Sequence, residues 1–154
     1  MQSDYGTHLP VLAAGYKATT GNIAEFGCGY FSTPVLHELM KGTGRKLYSY
    51  DNDINWLNKF KSLECEFHRV SYIQNWNKLV LPDVDMLFMD HAPAEQRQHD
   101  IIKHLNTNLI IVHDAEKVKL YNYDYSLFKF RKMYNFYHKK TIMLSNHIDV
   151  TKLI

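Results

Sequence analysis

The sequence has no apolar run approaching the ~20 residues that a membrane-spanning helix needs. Met1–Leu12 shows no cationic start followed by an apolar stretch, so no secretory signal is expected. Only two cysteines, Cys28 and Cys65, occur in 154 residues. That is too few for a disulfide scaffold or a structural zinc site, and a reducing, cytoplasmic setting is expected. Glycine (7) and proline (4) are scarce, which excludes collagen-like and low-complexity chains. Net charge is only +2, with 22% charged and 45% hydrophobic residues, a balance that builds a core rather than staying disordered. Nothing repeats and no linker divides the chain, so one domain over 1–154 is expected.

The small net charge hides an asymmetry. Residues 117–140 hold seven cations (Lys117, Lys119, Lys129, Arg131, Lys132, Lys139, Lys140) against Asp124 alone, +6 in all, which leaves −4 for the remainder. Aromatics crowd the same stretch. Cations interleaved with rings suit a phosphate-bearing or stacking partner, nucleic acid among them. They also suit elements whose rings face a core and whose lysines simply solvate a surface, which is the commoner case.

Short apolar or β-branched runs predict strands at Asn22–Phe26, Lys46–Tyr50, Glu66–Val70, Val84–Met89, Asn108–Val112, Asn135–Lys139 and Ile142–Ser145. Helical patterns fall at His8–Ala18, Thr33–Met40, Ile54–Leu63 and Ala94–Leu105. Ser32-Thr33-Pro34 reads as a helix start with a capping hydroxyl, and Asp53 can cap the next helix. Alternation of strand and helix predicts an α/β fold, a doubly wound, mainly parallel sheet with helices on both faces. The runs at Asp85–Met89 and Leu109–Val112 read as central strands. The last two strands, separated by Lys140-Thr141, read as a closing hairpin with one antiparallel strand.

Ligands of doubly wound sheets bind outside the carboxyl ends of the strands. Four of the first five predicted strands end near a carboxylate: Glu25, Asp51 (followed by Asn52), Asp90 and Asp114. Gly27 and Gly29 permit a tight turn and close backbone approach, and Ser32 and Thr33 open the following helix. A dinucleotide site would place a third glycine where Ser32 stands. Glu25, two residues before Gly27, opposes a pyrophosphate and suits an ammonium group. Asp51 lies 22 residues after Gly29, about where an acid accepts ribose hydroxyls. A nucleoside with a cationic or zwitterionic tail is expected.

The run Glu25-x-Gly27-x-Gly29-x-x-Ser32-Thr33, followed by Leu47-Tyr48-Ser49-Tyr50-Asp51, resembles the first two motifs of class I S-adenosylmethionine-dependent methyltransferases. Asp85–His91 and Val112-His113-Asp114 resemble the next two strand ends of small catechol-type O-methyltransferases. The resemblance spans Asn22 to Glu116. It implies a Rossmann-like, seven-stranded sheet in the order 3-2-1-4-5-7-6, strand 7 antiparallel, and S-adenosyl-L-methionine as cofactor. It also implies cofactor contacts from Glu25, Gly27, Gly29 and Ser32, ribose binding by Asp51, and adenine beside Asn75 and Trp76. Trp76 is equally readable as core, and His91 would lie beside the cofactor. Catechol-type members hold Mg²⁺ with an aspartate after the fourth strand and an Asp-Asn pair after the fifth. Asp90 and Asp114 match, but Ala115 replaces the asparagine and Pro93 the lysine base, leaving the metal in question.

Methyl transfer requires alignment and, for an oxygen or nitrogen acceptor, loss of a proton. Base candidates are Asp90, His91, His113 and His8, the imidazoles because they titrate near neutrality. Taken singly, His91 and His113 read more readily as groups that hydrogen-bond backbone and hold loops. The resemblance also implies that Tyr5, Thr7 and His8 fold over the cofactor, Thr7 being equally readable as an ordinary helix cap; Arg97 is placed to meet an acidic acceptor or to solvate. His37, His99, His104 and His138 read as surface residues, and Cys28, Cys65 and His68 as structural. Three functions are expected in order: methyl transfer to an oxygen or nitrogen of a small or sugar-like acceptor, with Asp90, His91, His113 and Asp114 as the catalytic candidates; a nucleic-acid methyltransferase using 117–140; and a non-catalytic cofactor-binding or interaction protein.

Overall fold

The computed structural model describes residues 4–154. Met1–Ser3, part of the stretch read as lacking a secretory signal, lie outside the described residues. The strands are β1 Ile23–Phe26, β2 Leu47–Asp51, β3 His68–Tyr72, β4 Met86–Met89, β5 Leu109–His113, β6 Phe130–Tyr134 and β7 Thr141–Ser145. They form one sheet in the order β3-β2-β1-β4-β5-β7-β6, as the resemblance implied. β7 runs antiparallel to β5 and β6; the pairings from β3 to β5 are parallel.

Strand alternation sorts the side chains onto two faces. Ile23, Leu47, Met86, Phe88, Leu109 and Ile111 pack with Val11 and Leu12 of α1 (Leu9–Ala18) and with Leu36 and Met40 of α2 (Ser32–Met40). Ala24, Phe26, Leu87, Met89, Ile110 and Val112 pack on the other face, with Ile101 of α4 (Gln96–Lys103) and with Trp76, Leu79 and Phe128. The central strands β1, β4, β5 and β7 are buried throughout. No helix among the described residues is long and apolar enough to cross a membrane.

Three local expectations are corrected. The helix expected over Ile54–Leu63 is one turn, α3 (Ile54–Leu57), followed by a 3-10 turn at Lys61–Leu63. Hydrogen bonds from Lys59 N to Trp56 O and Phe60 N to Leu57 O tighten the chain out of the α-helical path. Asp53 does cap it, accepting from Asn55 N and Trp56 N at 2.9 and 3.0 Å. The sixth strand is Phe130–Tyr134, not Asn135–Lys139. Tyr134 pairs with Thr141, so the hairpin turn is residues 135–140 rather than Lys140-Thr141. The ring-rich turn mimics a strand in composition, whereas the true edge strand carries exposed Arg131 and Lys132. Finally, α2 begins without a side-chain cap, because Phe31 occupies the N-cap position and Thr33 Oγ1 is bound to Gly29 N and Glu25 instead. A short helix, α5 (Val118–Tyr121), follows β5.

Candidate functional site

The glycine loop leaves β1 by a turn that only glycine permits. Gly27 has φ +89°, and a Cβ there would lie 2.7 Å from the Asp90 carbonyl carbon and the His91 nitrogen. The ends of β1 and β4 therefore touch backbone to backbone. Gly29 has no such requirement; its virtual Cβ meets only Ser32 Oγ, at 3.1 Å.

Glu25 lies under this loop, fully buried. Thr33 Oγ1 donates to its Oε1 (3.1 Å) and Ser49 Oγ to its Oε2 (2.6 Å). Thr33 Oγ1 also accepts from Gly29 N at 2.9 Å, so loop, helix start and carboxylate are tied together. Burial raises the Glu25 pKa to about 7, against the opposing pull of the Ser32, Ser49 and Thr33 hydroxyls. Glu25 is thus a support beneath the loop, not an exposed wall. Asp51 is also mostly buried; its carboxylate accepts from Cys28 N and Asp53 N, both at 2.9 Å, and burial raises its pKa. Asn52 beside it is half-buried.

A crevice of about 420 Å³ opens at the carboxyl ends of β1 and β4. Cys28, Gly29 and Ser32 form its floor; Tyr30, Phe31 and Trp56 form an aromatic side; Tyr5, His8 and Asp90 close the rest. A cavity of this size and mixed lining suits a small ligand or cofactor. Trp56 is fixed by its Nε1–H to Cys28 O (2.7 Å), and Tyr30 meets it edge-on at 5.1 Å. The sequence reading missed Trp56, Tyr30 and Phe31. The available signal was two rings directly after Gly29 and a tryptophan one turn past the Asp53 cap. Burial pushes the Cys28 thiol far up, so it is an inert filler.

Asp90 joins the crevice to a polar cluster behind it. Arg97 lies 3.2 Å from its Oδ1 and His113 Nδ1 3.2 Å from its Oδ2. Burial would raise its pKa, but His113 and Arg97 together hold the carboxyl below the usual range. Arg97 also donates to the backbone carbonyls of His91 and His113, clamping the ends of β4 and β5. Arg97 is therefore a buried clamp rather than a solvating residue. His113 Nε2 meets Thr7 Oγ1 at 3.0 Å, bringing the N-terminal segment onto the sheet edge. His8 packs against Phe88 (5.0 Å) and His113 (4.8 Å), and both its ring nitrogens are buried without a hydrogen-bond partner.

Other expected site residues sit apart from the crevice lining. His91 is buried against Trp76 (4.3 Å) with Nε2 2.9 Å from Asp100, an arrangement that anchors α4. Trp76 fills the core between Phe26 and His91, its Nε1–H given to Ala92 O. Asn75 is exposed and caps a 3-10 turn through Asn77 N. Asp114 takes a left-handed conformation (φ 52°), with Lys139 Nζ 3.7 Å away. Glu116 accepts from Lys140 N. His37 and His104, expected on the surface, are half-buried; His37 meets His68 at 3.0 Å and His104 meets Phe26 at 5.7 Å.

This donor set does not fit Mg²⁺, which wants several oxygen ligands. Asp90 shares one oxygen with a guanidinium, Asp114 faces a lysine, and Glu116 serves the hairpin.

No protein-family model and no curated protein matches the sequence. Solved structures do. The SAH-bound methyltransferase PaMTH1 of Podospora anserina superposes with TM-score 0.68 at 12% identity, covering 94% of this chain and 80% of that one. The O-methyltransferase TomG of Streptomyces achromogenes, in complex with SAM, gives 0.64 at 14% identity, over 94% and 81%. An rRNA methylase of Streptococcus thermophilus gives 0.57 at 12% identity, over 96% and 100%. The chain has the class I methyltransferase fold. In that methyltransferase fold, the crevice described above lies where doubly wound sheets take their ligands.

Proposed function

We propose that the protein is an S-adenosylmethionine-dependent methyltransferase that methylates an oxygen or nitrogen of a small acceptor. The observation that carries this reading is the crevice between the glycine loop and Asp90, aromatic on one side and ionised on the other. Cys28, Gly29 and Ser32 would receive the cofactor's amino-acid tail, with Glu25 buried beneath them and bracing the loop through Thr33 and Ser49. Asp51 sits at the end of β2, where the ribose hydroxyls would lie. Trp56, Tyr30 and Phe31 offer ring faces to the adenine or the acceptor. Asn75 and Trp76, by their positions, give the adenine less than Trp56 does.

In the transfer, the acceptor's oxygen or nitrogen forms a bond to the methyl carbon as the carbon–sulfur bond breaks, in line, and S-adenosylhomocysteine leaves. The acceptor's proton leaves toward the cluster of Asp90, His8 and His113. Asp90 faces the crevice and accepts the acceptor's hydrogen bond; Arg97 and His113 hold it there. Calorimetry with S-adenosylmethionine, followed by methyl-release assays over a panel of hydroxylated and aminated small molecules, tests the reading. Absence of cofactor binding at millimolar concentration overturns it.

A nucleic-acid acceptor is the second reading. Lys117, Lys119, Lys129, Arg131 and Lys132 are exposed, as are the rings of Phe136 and Tyr137. Tyr123, Phe128 and Tyr134 of the same stretch belong to the interior. RNA binding that falls steeply with salt would favour this acceptor over a small molecule.

A further inference from the structure

His8 is a buried imidazole that uses neither of its nitrogens. It is 3% exposed, yet it lines the crevice. Buried polar atoms are ordinarily paired, so an unpaired ring pointing at a ligand cavity calls for a partner that is not protein. Two further donors converge on it. One nitrogen of His8, one of His113 and one oxygen of Asp90 all lie within 4.8 Å of one another.

We propose that His8, Asp90 and His113 form a binding site for a borderline divalent cation of the zinc type. Two imidazoles and one carboxylate are the donor set such ions select, in contrast to the oxygen-only set that magnesium prefers. Ligands bonded at about 2.0–2.1 Å in a tetrahedron stand roughly 3.3 Å apart. The Asp90 Oδ2 to His113 Nδ1 separation is 3.2 Å, so this pair already has ligand spacing. His8 has to swing in by about an ångström or somewhat more, and no hydrogen bond restrains it.

The outer contacts fit as well. His113 Nε2 lies 3.0 Å from the Thr7 hydroxyl, which can accept its N–H and leave Nδ1 bare for the ion. Arg97 engages the other oxygen of Asp90 and fixes the carboxylate's orientation without covering Oδ2. Because Asp90 and His8 face the crevice, the fourth position opens toward the proposed acceptor. A cation there would bind the acceptor's hydroxyl, or its amine, and lower its pKa. This deepens the proposed methyl transfer: the three groups act together through the ion rather than singly as bases. The metal site itself does not require that reading to be correct.

The test is titration of the chelator-stripped protein with Co²⁺, read by visible d–d absorption and without S-adenosylmethionine. One equivalent should give the intense bands of a four- or five-coordinate site, Zn²⁺ should bleach them, and Mg²⁺ should not. His8→Phe keeps a ring against Phe88 and sacrifices no protein hydrogen bond. It should melt no lower than the unaltered metal-free chain and weaken Co²⁺ binding at least 100-fold. Asp90→Asn should weaken it by 10-fold or more. Bands absent at one equivalent overturn the site, as does unchanged Co²⁺ binding by folded His8→Phe. Cofactor calorimetry on the same samples separates the two ideas. Co²⁺ binding without cofactor binding leaves the metal site standing and removes the transferase, and the converse result does the reverse.

Discussion

Ser49 Oγ gives its proton to Glu25 Oε2 across 2.6 Å, and on its other side it lies 2.9 Å from His68 Nε2. With its own proton committed, Ser49 accepts there, so His68 carries hydrogen on Nε2 and leaves Nδ1 bare. His37 Nδ1, 3.0 Å away, then donates to it. With Glu25 ionised, a single direction of donation runs from the half-buried His37 to the carboxylate under the glycine loop. Strand register builds it: Glu25 lies beside Ser49, and His68 enters from β3 on the same face.

Glu25 therefore links stability to pH. Its folded pKa of about 7 exceeds the ordinary 4.5. The folded state holds an extra proton between these values, so the contribution is complete below about 4.5 and is lost as pH rises through 7. The 2.5-unit difference corresponds to about 3 kcal/mol. His68, lowered to about 4 by burial and by His37, works the opposite way, losing stability as pH falls from 6.5. A comparison with Glu25→Gln isolates the carboxyl: urea melts should show the variant gaining up to about 3 kcal/mol relative to the unaltered chain between pH 5 and 8. A pH-independent difference would show that Glu25 is ionised throughout.

Asp51→Ala removes the acceptor for two backbone amides and the group placed for the ribose. Calorimetric affinity for S-adenosylmethionine should fall by about 30-fold or more, with far-UV dichroism unchanged. Equal affinity would remove Asp51 from the cofactor site.

Asp90→Asn keeps the shape of the crevice and abolishes the charge at its mouth. The expected result is kcat lower by about 100-fold with S-adenosylmethionine affinity changed less than about threefold. Parallel losses in both would reduce Asp90 to a brace for Arg97.

Gly27→Ala forces a Cβ into the Asp90–His91 backbone at a positive φ. The variant should lose roughly 2 kcal/mol or more of stability, read as a lower denaturation midpoint. Gly29→Ala should cost much less, since only a serine hydroxyl has to move.

The sheet was legible because β4 and β5 are unbroken apolar runs and because Gly27, Asp51, Asp90 and Asp114 mark strand ends. The edge was not. β6 buries so little that Phe130–Tyr134 carries a weaker signal than the ring-rich turn after it. The glycine loop was legible, but the orientation of Glu25 was not: the pleat turns it inward with Ser49, away from the crevice. His8, Asp90 and His113 meet only through tertiary folding, 82 and 105 residues separating His8 from its two neighbours. No local spacing encodes such a meeting. Trp56 was hidden for the same reason, since its indole is held at the crevice by a hydrogen bond to Cys28 O, 28 residues away in sequence.

The two margins of the sheet have a consequence for how molecules meet one another. β6 presents Arg131 and Lys132 outward, and β3, at the opposite margin, presents Arg69. Two copies approaching flank to flank would have to bring guanidinium and ammonium groups together before any ladder could join them. Like charges on both flanks thereby oppose strand-to-strand joining of two copies.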